Sequence, residues 1–199
     1  FSQYGLKVTE QKTPLTTWDG KTYTCRNIIA SYRPEVADRV VIAAHWDSRP
    51  WADEDPDESK RRQPVMAAND GASGVAVMLE VARQLQADKK LNPNIGVDFV
   101  CFDTEDWGVP QWSDAQDDGN SWALGAQYWS ENKPEGYNPR YGILLDMVGG
   151  QGARFYREGM SMQYAGGIVK RVWAAARQAG YGSFFPKSDG GMITDDHIP

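Results

Sequence analysis

Three short apolar runs in this chain each end in acidic residues or a histidine, and these ends are where chemistry could occur. The runs and the residues that follow them are 40–44 with His45-Trp46-Asp47, 97–102 with Asp103-Thr104-Glu105-Asp106, and 143–145 with Asp146. Carboxylates and imidazoles are ligands that divalent cations such as zinc take from proteins. Because three such ends could converge, the sequence predicts an enzyme with a metal site, and zinc is the metal that we favour.

The elements that would bring these residues together are strands of one sheet. Each run is short, rich in β-branched residues and bounded by polar residues, which is typical of strands buried on both faces of a parallel sheet. In open α/β sheets, ligands bind in the crevice beyond the carboxyl ends of such strands. Strands alternate with segments of helical periodicity, which predicts an α/β fold with a mostly parallel central sheet. The predicted strands cover 22–32, 40–44, 95–102 and 141–146, and the predicted helices cover 75–85, 122–131 and 162–178.

Composition and charge narrow the class of protein. With 199 residues, of which 41% are hydrophobic, the chain can bury one substantial core, and we expect a single domain over 1–199. A net charge of −6 argues against a nucleic-acid surface, and no apolar stretch is long enough to span a bilayer. The chain starts and ends abruptly, so we expect a fragment truncated at both ends. Cys25 and Cys101 could form a disulfide, but two buried thiols are the simpler interpretation.

Each candidate residue in the first half of the chain also has a purely structural interpretation. His45 and Asp47 share one face of an extended segment, so Asp47 could orient a functional His45, or both could simply end a strand. Asp70 precedes a predicted helix, where it could cap the N-terminus or turn inward to bind a metal. The acidic run at 53–58 is interpreted as a solvated loop without a catalytic role.

The adjacent acids Glu105 and Asp106 are the stronger signal. Neighbouring carboxylates repel each other unless a cation or a proton lies between them, and such pairs can divide metal binding from proton transfer. They could instead be two solvated loop acids, and the same holds for Asp146 and for the triplet Asp195-Asp196-His197. The chain has only two histidines, so a site with three histidine ligands cannot form within it.

Taken together, these motifs resemble those of the zinc exopeptidase family M28, and within it most closely the animal-type glutaminyl cyclases. The resemblance runs from about His45 to Pro199. It is carried by His45-Trp-Asp-Ser-Arg, Asp70-Gly-Ala-Ser-Gly, Asp103-Thr-Glu-Asp, Trp112-Ser, Leu144-Leu-Asp and Asp195-Asp-His-Ile-Pro. The segment that begins at Asp70 is closer to the aminopeptidase form of that loop. The resemblance implies a three-layer α/β/α fold of the zinc-exopeptidase type.

The resemblance also implies roles for individual residues. Asp70 and Asp106 would bind zinc, Glu105 would be the general acid and base, and Trp112 would form a wall of the substrate pocket. Asp146 and Asp195 would form a carboxylate network around Glu105, and His45 and Asp47 would support the site or hold a second metal. In the family the acid at position 106 is usually glutamate, and a third zinc ligand is a histidine in a late Trp-His-Thr segment that this chain does not contain.

The activity implied by the resemblance is the cyclisation of N-terminal glutamine to pyroglutamate with release of ammonia. One zinc ion is expected for this reaction, with peptide or protein N-termini as substrates and a secreted or periplasmic location. The alternative is an M28 aminopeptidase with two zinc ions, one of them bound by His45, Asp70 and Asp146. A second alternative is a peptide-binding domain without catalytic activity. The oligomeric state is left open.

Overall fold

The computed structural model describes residues 1–88 and 91–199, which form two compact units. The first unit comprises residues 1–148 and 196–199, and the second comprises residues 149–195. The first contains the sheet, and the second is built around helix α3, Gly159–Gln178. No helix in the described part of the chain is long and apolar enough to cross a membrane.

Within the described residues the first unit has a five-stranded sheet with the order β1-β2-β4-β3-β5. The strands are β1 Lys7–Thr16, β2 Thr22–Tyr32, β3 Arg39–His45, β4 Gly96–Phe102 and β5 Gly142–Leu144. Strands β4, β3 and β5 are parallel, whereas β1 pairs antiparallel with β2, and β2 antiparallel with β4. The α/β class is therefore confirmed, but the sheet is mixed and the expectation of a mostly parallel sheet is wrong.

The sheet is mixed because β1 and β2 form a hairpin at one of its edges. Strand β1 was not predicted, and it pairs with β2 along its whole length, from Lys7 opposite Ser31 to Thr16 opposite Thr22. A short connection between consecutive strands can only return antiparallel, whereas parallel neighbours need a crossover. The crossovers that the sequence predicted between β3, β4 and β5 are present and give the parallel half of the sheet.

Helices cover both faces of the sheet. Helix α1, Ala72–Ala87, packs Met78 and Ala82 against Ala44 and Phe99. Helix α2, Leu124–Glu131, places Ala126 on the opposite face, against Val100 and Phe102. Because successive strand residues face opposite sides of a sheet, Phe99 and Val100 define two separate cores. The expected three layers are therefore present in the first unit.

Strands β3 and β4 share one buried ion pair. Arg39 donates to both carboxylate oxygens of Asp98 at 2.6 Å, and Ser31 and Tyr137 donate to the same carboxylate at 2.6 and 2.8 Å. Such a fully paired group is tolerated in a core because each buried charge has its partners. The two cysteines are free and buried, and burial raises the pKa of Cys25 to about 11 and of Cys101 to about 12. The interpretation as buried thiols is confirmed.

Helix α1 approaches the sheet closely at Gly74. A Cβ at this position would lie 2.2 Å from the carbonyl oxygen of Leu145 and 2.7 Å from the Cβ of Ala44. Both contacts are with atoms that are fixed by the strands, so the helix could not accept a side chain here without moving away. This glycine therefore sets the distance between α1 and the ends of β3 and β5.

We expect Gly74→Ala to lower the free energy of unfolding by about 1–3 kcal/mol, because overpacking against the backbone outweighs the gain in helix propensity. Urea unfolding followed by circular dichroism measures the change. Gly167→Ala, in helix α3, is the matched control because a Cβ there meets no atom within 4 Å. The control is expected to be neutral or slightly stabilising, and an unchanged stability in Gly74→Ala would contradict the close approach.

Candidate functional site

The acidic residues predicted to act together lie beyond the carboxyl ends of β3, β4 and β5. His45 is the last residue of β3, and its side chain is 1% exposed. Glu105 and Asp106 follow β4 after a turn in which Thr104 has a positive φ of 58°. Asp146 follows β5 closely. The parallel half of the sheet therefore brings the ends of three predicted strands to one edge, as the sequence indicated.

Asp70 turns inward. Helix α1 begins at Ala72, and its N-cap residue is Gly71, with no side-chain cap. The carboxylate of Asp70 instead lies 2.8 Å from Nε2 of His45. Gly71 makes this turn possible: its φ is +89°, and a Cβ would lie 2.9 Å from the carbonyl oxygen of Asp47. Of the two interpretations that the sequence allowed, the structure shows the inward one.

His45 is the centre of a group of carboxylates. Its Nε2 lies 3.3 Å from Oδ1 of Asp146, in addition to the contact with Asp70. Its Nδ1 lies 3.5 Å from Oδ1 of Asp47 and 3.9 Å from Oε2 of Glu105. Burial alone would lower the pKa of His45, but the carboxylates of Asp146, Asp47 and Asp70, and then the charge of Glu105, raise it overall. These partners therefore stabilise an imidazolium in the absence of metal.

The same arrangement could hold a metal ion. Ligand atoms of His45, Asp70 and Asp146 all lie within 4.8 Å of one another. A nitrogen and two carboxylate oxygens are a donor set that suits zinc. A proton and a metal ion cannot both occupy Nε2 of His45, so metal binding to the imidazolium would release the Nε2 proton while Nδ1 keeps its own.

Asp47 supports the two acids that follow β4. Its Oδ1 accepts the backbone N–H of Glu105 at 3.1 Å, and its Oδ2 accepts that of Asp106 at 3.1 Å. The carboxylate of Asp47 thus bridges His45 and the turn that carries both acids. Its side chain is only 7% exposed. Asp47 therefore fixes where the two backbone amides lie.

Asp106 is a buried carboxyl group in an acidic neighbourhood. The residue is 7% exposed. Burial and then the charge of Asp70 raise the pKa of Asp106 to about 7, although the nearby Arg49 opposes this. By contrast, the hydrogen bond with His45 lowers the pKa of Asp70. A cation between Asp70 and Asp106 would remove the repulsion between them, so the pair fits the zinc ligands that the resemblance implies.

A cleft of about 580 Å³ opens beside these two carboxylates. Its lining includes Asp70, Asp106, Trp51 and Trp122. Trp112, the predicted substrate-binding residue, packs against Trp51 with ring centroids 6.0 Å apart. Trp51 and Trp122 were not singled out from the sequence, because tryptophans in a loop carry no periodic signal that would place them.

Arg49 and Asp53 are further site residues that the sequence analysis did not identify. Arg49 donates to Oδ1 and Oδ2 of Asp53 at 2.7 and 2.6 Å, and Asp53 is only 3% exposed. The interpretation of 53–58 as a solvated loop is therefore wrong for Asp53. The spacing i, i+4 of an arginine and an aspartate was the available signal, but it is weak outside a helix.

Among the predicted site residues, Asp195 is the one nearest the end of the chain. Asp195 is the last residue of the second unit and is half-buried. Asp146 contacts His45, as described. The carboxylate network of Asp146 and Asp195 around Glu105 therefore stays a prediction.

Comparison with known proteins agrees with this geometry. The profile of peptidase family M28 matches residues 27–199. The match covers far more than half of the chain, and His45, Asp70, Glu105, Asp106 and Asp146 all fall within it. The chain belongs to peptidase family M28.

Solved structures of bacterial proteins are similar over nearly the whole chain. A glutaminyl cyclase of Bacteroides thetaiotaomicron, crystallised with N-acetylhistamine, is 47% identical over 99% of this chain and 67% of its own, with a TM-score of 0.94. A glutaminyl cyclase of Tannerella forsythia is 47% identical over 98% of this chain and 66% of its own, with a TM-score of 0.92. A Zn-dependent exopeptidase of Parabacteroides distasonis is 48% identical over 98% of this chain and 66% of its own, with a TM-score of 0.93. The chain thus spans about two thirds of the length of these proteins.

The raised pKa of Asp106 leads to a prediction about the stability of the metal-free protein. A carboxyl group whose pKa is raised on folding adds stability only while it is protonated, so that its contribution is lost as the pH rises through about 7. We therefore expect Asp106→Asn to be more stable than the unaltered protein at pH 8, by a few kcal/mol, since one pKa unit corresponds to about 1.4 kcal/mol. The difference should shrink towards pH 5.

Urea unfolding of chelator-treated protein at the two pH values measures this difference. Asp114→Asn, at an exposed loop position, is the control and should change stability little at either pH. A loss of stability in Asp106→Asn at pH 8 would show that the carboxylate is well compensated in the metal-free protein.

Proposed function

We propose that residues 1–199 form one catalytic domain of a zinc-dependent glutaminyl-peptide cyclotransferase. The reaction converts an N-terminal glutamine to pyroglutamate and releases ammonia. The observation that carries the proposal is that Asp70 and the buried Asp106 line one cleft together with Trp51 and Trp122, with Glu105 adjacent to Asp106 in the chain. The likeness to two bacterial glutaminyl cyclases at 47% identity supports the same activity.

In this proposal Asp70 and Asp106 hold a single zinc ion. Burial and then the charge of Asp70 raise the pKa of Asp106, and a bound cation would favour the ionised form of both acids. The family resemblance implies a histidine in a Trp-His-Thr segment as a further ligand, and residues 1–199 do not contain this segment. Bound zinc would act as a Lewis acid that polarises the side-chain carbonyl of the substrate glutamine.

Glu105 is the proposed proton carrier. The α-amine of the substrate attacks its own side-chain amide carbon, so the amine must lose a proton and the leaving nitrogen must gain one. Glu105 takes the proton from the amine and later delivers it to the departing ammonia, with one new C–N bond formed and one broken. Its side chain is 14% exposed, so it is largely shielded from bulk water. Asp146 and Asp195 are proposed to support Glu105 through a carboxylate network.

The substrate in this proposal is the N-terminus of a peptide or protein. The two reacting groups belong to one residue, so the protein needs mainly to orient that residue and to exclude water. Trp51 and Trp122 line the cleft and give it an apolar surface, and Trp112 packs against Trp51. Following the resemblance, we propose a secreted or periplasmic location for the enzyme.

One observation favours a second candidate, an M28 aminopeptidase. His45, Asp70 and Asp146 already lie at distances that suit a metal ion, and the resemblance gives these residues to the second zinc ion of the peptidases. The Zn-dependent exopeptidase of Parabacteroides distasonis is as similar to this chain as the cyclases are. In this alternative, two zinc ions would activate a water that hydrolyses the first peptide bond.

The role of Glu105 can be tested by replacement with glutamine. We expect Glu105→Gln in the full-length protein to lower kcat for ammonia release from a glutamine-initiated dipeptide by about 10²–10⁴-fold, because general acid–base catalysis contributes this much. Zinc content, measured by atomic emission, should be unchanged. Glu58→Gln, at an exposed position, is the control and should keep full activity. Activity near that of the control would remove Glu105 from the mechanism.

The number of zinc ions separates the two candidate activities. For the cyclase we expect one zinc ion per full-length chain, unchanged in His45→Gln and lost in Asp106→Asn. The aminopeptidase would bind two, and His45→Gln would then lose one of them. Metal analysis after dialysis gives the count, and two zinc ions together with release of free amino acids would overturn the cyclase proposal.

A further inference from the structure

The segment that follows β3 holds the backbone of Asp106 at both of its polar groups. Asp47 accepts the N–H of Asp106 at 3.1 Å, and Nη1 of Arg49 donates to its carbonyl oxygen at 3.0 Å. Asp47 and Arg49 are two positions apart, so one short stretch of chain fixes the peptide groups on both sides of the Asp106 Cα. The side chain of Asp106 remains directed to the cleft that it lines.

The guanidinium of Arg49 is itself held on several sides. Nε and Nη2 donate to the two carboxylate oxygens of Asp53 at 2.7 and 2.6 Å, and this planar two-bond geometry is available to arginine but not to lysine. Asp53 in turn accepts the backbone N–H of Gln111 at 2.9 Å. The guanidinium carbon lies 4.6 Å from the ring centroid of Trp122 and 5.5 Å from that of Trp51. The Nη1 donor therefore has one well-defined position.

We propose that Arg49 is a positioning residue that sets the backbone of Asp106 so that its carboxylate reaches the zinc ion. The inference rests on the proposed function, in which Asp106 is a zinc ligand. An aspartate has a short side chain, so the position of its carboxylate follows that of its backbone closely. Metal ligands and catalytic groups must be held within about 0.5 Å of their productive geometry, and outer partners provide this precision.

A role through charge alone would have a different consequence. Nη1 of Arg49 lies 3.5 Å from Oδ1 of Asp106, so the arginine is also a cation close to the proposed metal. Like charges repel, and removal of this positive charge would by itself strengthen zinc binding. Loss of positioning would weaken it. A lysine at position 49 keeps the charge but cannot bond both oxygens of Asp53 and the carbonyl of Asp106 together.

The test is the zinc dissociation constant of Arg49→Lys in the full-length protein, measured by competition with a chromogenic chelator. We expect binding about 10–100-fold weaker than in the unaltered protein, the usual cost of losing a partner of a metal ligand. Activity at saturating zinc should return towards that of the unaltered enzyme, because the bound state is the same. A merely structural role would lower the free energy of unfolding and leave the zinc dissociation constant unchanged.

A second variant guards against a failure to fold. Arg49→Met with Asp53→Asn removes both buried charges together and leaves neither unpaired, and it too should bind zinc about 10–100-fold more weakly. The matched control is Arg83→Met with Glu80→Gln, which removes a similar two-bond pair from the exposed face of α1 and should not change zinc binding.

The possible results of these measurements distinguish a failure of the positioning role of Arg49 from a failure of the proposed metal site. Zinc affinity within twofold of the unaltered protein in both Arg49 variants would overturn the positioning role while leaving the metal site intact. Tighter zinc binding in the double variant would show that Arg49 acts through its charge, and would overturn it as well. Absence of zinc binding in the unaltered full-length protein would overturn the proposed metal site itself.

Discussion

The burial of several carboxylates around one imidazole is the constraint on which the site depends. His45 contacts Asp70, Asp146 and Asp47, and Glu105 lies nearby. One imidazolium cannot neutralise so many acids, and burial together with the charge of Asp70 raises the pKa of the nearby Asp106 to about 7. Removing like charges from water is costly unless a cation or protons compensate for them. The fold thus gathers more negative charge at this site than one imidazolium neutralises, and a divalent cation would compensate for the excess.

The geometry of the sheet brings these acidic residues together. Parallel strands β4, β3 and β5 end at one edge, so residues distant in sequence arrive at the same place without long loops. Helix α1 then approaches closely at Gly74, which brings the turn with Asp70 over the end of β3. Side chains of the segment after β3 bind the backbone of the acidic turn. Positions of the acids therefore follow from backbone contacts as much as from their own side chains.

The sequence predicted the parallel half of the fold well and the antiparallel edge poorly. Strand β2 was predicted at the bounds observed, Thr22–Tyr32, because β-branched and aromatic residues dominate it. Strand β1 was missed, since none of its residues is fully buried and it contains Pro14, both typical of an edge strand. Without a buried face, a strand carries no alternation of apolar and polar residues to reveal it.

For the site, too, the sequence predicted what depends on adjacent residues and left open what depends on contacts between residues distant in the chain. Glu105, Asp106 and Asp146 were found because each follows an apolar run, which is a local signal. Whether Asp70 caps its helix or turns inward was left open, because the deciding contact is with His45, which is distant in sequence. Asp53 was assigned to solvent for a similar reason, since it belongs to an acidic run and its contact with Arg49 is visible only in the folded structure.

The most direct test of the proposed cyclase activity is the product that the full-length protein forms from a glutamine-initiated dipeptide, with and without a zinc chelator. Ammonia and free amino acids are measured in the same reaction. Zinc-dependent cyclisation predicts ammonia release that the chelator abolishes and added zinc restores, with no free glutamine. Release of free glutamine and the second amino acid, without ammonia, would contradict it and assign the site to peptide-bond hydrolysis.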